Sequence, residues 1–245
     1  MAWDDSYENY QKVLSPLDAH RAIYIDFEGF KDQPPALLGT LWAYGRRPTD
    51  KRLRCVHDIH HTSLQQITGA VGMKNEYLES YEQRAYSIEQ SINGTARLAK
   101  AQNRMIVSWS THELVQIAEE ELTPELFELF RAQYRDGKAT AKAWFNQSGL
   151  STSKGSNTLV RYLEEADYQL PSHYGLGQTT QRLRSVIAGV QNWGSYSKLV
   201  ASQQEKWHHL LIHNLADCHG LRHLTKVAAL ALADLPWKGL WSSES

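Results

Sequence analysis

The regular patterning of the chain begins at Ala22-Ile23-Tyr24-Ile25-Asp26-Phe27, a nearly unbroken apolar run rich in β-branched and aromatic residues. Such a run predicts a central strand buried on both faces. Gly29, Pro34, Pro35, Gly45 and Pro48 punctuate the next thirty residues, which predicts short strands near 36–44 and 52–58 in an antiparallel meander. From 76 to about 100, Tyr77, Tyr81, Ala85, Ile88, Ile92 and Ala96 recur at three- and four-residue spacing, the stripe of an amphipathic helix. The short apolar segment from Arg104 to Trp109 predicts a further strand, and Ser110 with Glu113 forms a capping-box pattern that opens the next helix. Thr123-Pro124-Glu125 predicts another helix through about Tyr134, with proline at its favoured first position. A loop is expected over 147–157, helices over 158–165 and 180–190, and a last long helix over roughly 203–232. Strands early, helices around and after them, and no internal repeat predict a single α/β domain over 1–245.

Composition narrows the class without naming a chemistry. With 42% hydrophobic and 22% charged residues, the chain has the balance of a folded globular protein and not of a disordered or fibrous one. A net charge of −1 removes any argument from bulk charge for nucleic acid or anionic membrane. The distribution is less even: Arg46, Arg47, Lys51, Arg52 and Arg54 face Asp50 alone, and 131–161 carries Arg131, Arg135, Lys138, Lys142, Lys154 and Arg161. Cys55 and Cys218 lie far apart in no C-x-x-C pair, so they read as small buried hydrophobes and not as a disulfide framework or zinc knuckle. The opening Met1-Ala2-Trp3-Asp4-Asp5 is acidic where a signal peptide is basic, and no apolar run approaches the ~18–20 residues that span a bilayer. A cytoplasmic protein with no membrane partner is expected.

Two places break the apolar patterning with charge. Asp26 and Glu28 alternate with Ile25 and Phe27, so they project from one face of the first strand about 6.5–7 Å apart at the backbone. Burying carboxylates in a strand is costly unless they are paired or bind a metal, so the two either converge on one cation or sit on the solvated tip of a strand that ends near Asp26. In the last helix Trp207, Leu210, Leu221 and Leu224 form one stripe, and Asp217 falls seven residues from both Leu210 and Leu224. It is therefore aimed at the core, with His213 and Asn214 a turn away on the same side. A divalent cation would relieve a carboxylate so placed.

These segments, Tyr24-Ile25-Asp26-Phe27-Glu28-Gly29-Phe30, the strand-to-helix junction from Ile106 to Glu113, and Ile212-His213-Asn214-Leu215-Ala216-Asp217-Cys218, together resemble the ribonuclease H-like 3′–5′ exonuclease superfamily with DEDD-type acidic motifs. In detail they look most like the prokaryotic ribonuclease H-like branch whose last motif is an Asn-x-x-Asp-Cys helix. The resemblance covers about residues 21–232 and implies a mixed central sheet flanked by helices. It implies two Mg²⁺ or Mn²⁺ ions, roughly 3.5–4 Å apart, on Asp26, Glu28, Asp217 and Glu113, and phosphodiester hydrolysis of single-stranded DNA or RNA. The basic stretch, with Lys138, Lys142, Trp144 and Asn214 as candidate contacts, would then track the strand through phosphates and stacking. The chain departs from the family at two points. Glu113 stands where the second motif has an aspartate and equally suits the capping box, while His213 holds the position four before Asp217 where a tyrosine is usual, a catalytic histidine at the tyrosine spacing that would orient the attacking water.

Two other readings stay open. His57-Asp58-Ile59-His60-His61 resembles the histidine-rich loop of zinc hydrolases of the metallo-β-lactamase kind, although the order of its ligands is broken, and His208, His209 and His213 could add to it. The fold could also serve as a non-catalytic nucleic-acid-binding module, in which case one acid, Glu113 first, would be dispensable.

Overall fold

A computed structural model describes residues 10–45, 52–74, 78–119, 122–150 and 158–234. Arg46, Arg47, Asp50, Lys51, Tyr77 and Lys154 therefore lie outside the described residues. The apolar run becomes β1 (Ile23–Glu28), followed by β2 (Leu37–Ala43) and β3 (Leu53–Ile59) in an antiparallel meander. On the far side of β1, β5 (Ile106–Ser108) pairs parallel to it, and β6 (Tyr134–Asp136) pairs parallel to β5. At the opposite edge β4 (Leu78–Ala85) lies parallel to β3. The order is β4-β3-β2-β1-β5-β6, a mixed six-stranded sheet consistent with a ribonuclease H-like arrangement.

Among the described residues nine α-helices flank this sheet: α1 (Pro16–Arg21), α2 (Thr62–Gln65), α3 (Ile88–Gln102), α4 (His112–Glu119), α5 (Pro124–Arg131), α6 (Gly137–Gln147), α7 (Leu159–Glu165), α8 (Thr179–Trp193) and α9 (Ala201–Leu232). Alternation along β1 divides the core. Ile23 and Ile25 point to the side of Ile92, Ala96 and Phe130 from α3 and α5, while Tyr24 packs with Leu221 and Leu224 of α9 and with Phe145 of α6. Asp26 and Glu28 continue the Tyr24 face, so the sheet turns its acidic end toward α9. The expected stripe of Trp207, Leu210, Leu221 and Leu224 is fully buried. Cys55 and Cys218 are buried and free. None of the helices among the described residues is long and apolar enough to cross a membrane.

Three expectations are corrected. The single helix expected from 76 to about 100 is a strand followed by a helix: Leu78–Ala85 pairs residue by residue with β3, and Ser87 starts α3 with a capping box to Gln90. The spacing of Tyr81 and Ala85 suited either period, and cross-strand partners chose the strand. Tyr134 is not the end of a helix but a fully buried residue of β6, because α5 stops at Arg131. Within the basic stretch, Gly137–Gln147, to which the pattern assigned no element up to 146, forms α6, capped by Asp136 accepting from the Lys138 N–H at 2.9 Å.

Candidate metal centre

The acidic end of β1 meets α9 across a short gap. His213 and Asp217 lie one helical turn apart on the face turned to the sheet, and His213 Nε2 stands 3.3 Å from Asp217 Oδ2 and 3.5 Å from Glu28 Oε1. Glu28, His213 and Asp217 each offer a ligand atom within 4.8 Å of the others. The ring orientation is set from behind, since His213 Nδ1 lies 2.8 Å from the backbone carbonyl of Tyr174. A carbonyl only accepts, so Nδ1 carries a proton, and in its neutral form the ring presents a lone pair at Nε2 to two carboxylates. Three acceptors converging on one point call for a cation or a shared proton between them. A histidine whose other nitrogen is tied to a backbone carbonyl is also the usual support for a metal ligand.

Asn214 orders the neighbouring acid. Its amide nitrogen donates to the Asp26 carbonyl at 3.0 Å and to Asp26 Oδ2 at 2.7 Å. Tyr174, in the segment leading into α8, donates its hydroxyl to Asp217 Oδ1 at 2.5 Å and lays its ring against that of His213, centroids 4.1 Å apart. Arg182 holds this segment by donating to the carbonyls of Tyr174 and His173 at 3.1 and 3.0 Å. Gly175 permits it: the residue has φ +64°, and an added Cβ would sit 2.2 Å from the Arg182 guanidinium.

Glu113 arrives from the first turn of α4 and accepts from Ser108 Oγ at 3.0 Å and Ser110 Oγ at 3.4 Å. Ser110 does serve the helix start, accepting from His112 N at 3.3 Å. The Glu113 carboxylate, however, turns to the hydroxyl at the end of β5 and does not close the reciprocal capping bond to Ser110. It lies outside the tight triad but within electrostatic range of Asp26.

Burial raises the proton affinity of all four carboxylates. For Asp26, held well above the usual range, burial acts first and the charges of Asp217, Glu28 and Glu113 come after it, against the Asn214 hydrogen bond. Glu28 is likewise held well up by burial and then by Asp217, opposed by the positive charge of Arg182. Asp217 is raised by burial, opposed by His213 and by the Tyr174 hydroxyl. Glu113 is raised by burial, opposed by its hydrogen bonds. Among the described residues no Lys or Arg side chain forms an ion pair with any of the four. An oxygen-rich set of this kind, with no direct cationic partner, suits a hard divalent cation.

The other candidate residues fall elsewhere. Trp144 is buried against Phe145, ring centroids 5.2 Å apart, so it belongs to the core and is not a stacking platform. Asn214 is fully buried on Asp26 and cannot reach a nucleic acid. Arg131 and Arg161 are tied to Glu128 and to Glu164 and Glu165, so these two charges of the basic stretch are already paired. Lys142 is exposed, and Lys138 is partly exposed with its Nζ 5.9 Å from the Trp109 ring centroid. The histidine-rich segment does not gather. Asp58 is engaged by Arg84 at 2.6 and 2.9 Å, His60 by the Pro35 carbonyl and Ser91, and His61 by the Ser63 N–H, while alternation sends His57 to the other face from Asp58. His209 stacks on His173 at 4.6 Å and lies apart from the triad.

Tyr174 and Arg182 carried no sequence signal that marked them for the site. Pro171-Ser172-His173-Tyr174-Gly175 has no periodicity, and only the closely spaced glycines mark a shaped segment. No protein-family model, no curated protein and no solved structure matches the chain.

Proposed function

We propose that the chain is a metal-dependent nuclease, a 3′–5′ exonuclease that hydrolyses phosphodiester bonds of single-stranded DNA or RNA. The observation that carries this reading is the convergence of the Nε2 lone pair of His213 with the carboxylates of Glu28 and Asp217. Asp26 and Glu113 complete the acidic set, which occupies the motif positions on which the chain resembles the DEDD-type nucleases. Bound there, two Mg²⁺ or Mn²⁺ ions would activate water and neutralise charge on the departing oxygen.

The protein's own groups have separable tasks. Glu28, His213 and Asp217 would hold one ion, and Asp26 with Glu113 supplies carboxylates toward a second. His213 therefore reads as a ligand instead of a free base that orients water. Its imidazole also favours Mn²⁺ over Mg²⁺, which prefers all-oxygen surroundings. Tyr174 favours the ionised form of Asp217 and holds it in place by donating to it, and Lys138 stands on α6 as a candidate phosphate contact.

The test is incubation of end-labelled single-stranded DNA and RNA with Mn²⁺, with EDTA and the Asp217→Asn protein as controls. The expected result is a ladder shortened from the 3′ end and lost in both controls. Binding without cleavage would leave the non-catalytic module as the reading, and cleavage that survives EDTA would remove the metal centre from it.

A further inference from the structure

Behind the acidic cluster lies a buried polar chain that the proposed chemistry does not use. The sheet register aligns Asp26 of β1 with Gly39 of β2 and Gly39 with His57 of β3. Asn214 reaches down from α9 onto the bare Gly39. An added Cβ there would stand 1.6 Å from Asn214 Oδ1 and 2.7 Å from its Cγ. Both amide hydrogens of Asn214 are committed to Asp26, so the amide orientation is decided and Oδ1 points away from the carboxylate. Asn214 Oδ1 and His57 Nε2 are both buried and neither has a regular hydrogen-bond partner. Unpartnered buried polar atoms are rare and need an explanation. The pair stops short of a well-formed bond, yet the amide offsets part of the burial penalty on the ring. On the other side of the ring, His57 Nδ1 lies 3.0 Å from the Tyr81 hydroxyl.

We propose that His57 and Asn214 are positioning residues for Asp26, linked in a one-way chain of donors: Tyr81 hydroxyl to His57 Nδ1, His57 Nε2–H to Asn214 Oδ1, and Asn214 amide to the Asp26 carboxylate. The direction is set at the Asp26 end, where the backbone carbonyl that takes the Asn214 amide can only accept. That turns Asn214 Oδ1 toward His57, and an Nε2 without its proton would set two acceptors against each other. Burial brings the His57 pKa down to about 4, so the ring is neutral near pH 7 and has one N–H to place. Burial also pushes the Tyr81 phenol up, so it keeps the proton it donates. The chain holds Asp26 Oδ2 and leaves Oδ1 available to a metal ion. Gly39 is the position that lets the chain pass, since any side chain there would lift Asn214 off the sheet.

The inference rests on the metal-centre reading only in taking Asp26 as a ligand, and two experiments separate their fates. Long-range ¹H–¹⁵N spectra of the ¹⁵N-labelled metal-free protein report the tautomer of His57. The Nε2–H form is expected at neutral pH, and an Nδ1–H ring would overturn the relay whatever the protein catalyses. Calorimetric titration with Mn²⁺ then compares wild type with His57→Phe, His57→Gln and Gly39→Ala. His57→Phe and Gly39→Ala should bind Mn²⁺ about tenfold or more weakly, with much of the loss recovered in His57→Gln, whose amide can place a donor where Nε2–H stands. Wild-type affinity in His57→Phe would refute the positioning role. A wild-type protein that takes up no Mn²⁺ would refute the metal centre, leaving the tautomer to decide the relay.

Discussion

Glu28→Gln removes one charge from the most crowded part of the cluster while keeping the shape of the side chain. Glu28 and Asp217 offer oxygens within 4.8 Å of one another, and two full charges at that distance repel by about 3.5 kcal/mol at an effective dielectric near 20. The substitution also gives up the attraction of Glu28 to Arg182, so a net stabilisation of about 1–2 kcal/mol in metal-free protein is expected at alkaline pH. For a chain of this size that corresponds to a rise in Tm of roughly 2–8 °C. The pH dependence has a definite sign. Asp26, Glu28 and Asp217 have folded-state pKa values raised above their unfolded ones. Their contribution is therefore fully present below the ordinary carboxylate range and is lost as pH rises through the raised values. Glu28→Gln removes one such group and eases its neighbours, so its advantage over wild type should widen between about pH 4, the ordinary carboxylate range, and pH 8.5. Thermal melts in EDTA at the two pH values measure this directly. A Glu28→Gln protein that melts below wild type at pH 8.5, or a gap that does not change with pH, would refute the crowded-carboxylate account.

Saturating Mn²⁺, at about 100 times its Kd, should stabilise wild type by about 2.7 kcal/mol, reversibly with EDTA, and Asp217→Asn should lose the gain; equal melting shifts in both proteins would place the ion elsewhere. Tyr174→Phe keeps the ring on His213 but removes the hydroxyl that lowers the proton affinity of Asp217, so the acid limb of the pH–rate profile should move to higher pH, and an unmoved limb would take Tyr174 out of the site. Lys138→Ala combined with Lys142→Ala should reduce the salt slope of single-strand binding by about 1.4 if each residue meets one phosphate; an unaltered slope would return the start of α6 to ordinary solvated surface.

Much of the framework was legible in the sequence because it rests on local patterning. The apolar run ending in Asp26 and Glu28, the meander after it and the stripe of α9 all arise from periods of two and 3.6 residues. Those periods alone set the two β1 carboxylates on one face and turned Asp217 inward. The pattern misread Leu78–Ala85 because an edge strand with no fully buried side chain has no clear burial alternation to display, and its identity comes from Tyr81 and Arg84 meeting His57 and Asp58 on β3. Trp144 looked like a stacking group because composition does not say which face of an element is covered. Only the tertiary structure joined His213 to Glu28, swung Tyr174 onto Asp217 and set Asn214 on Gly39. These contacts span parts of the chain far apart in sequence, and their partners are fixed by the register of strands and the docking of α9, which a one-dimensional period does not encode.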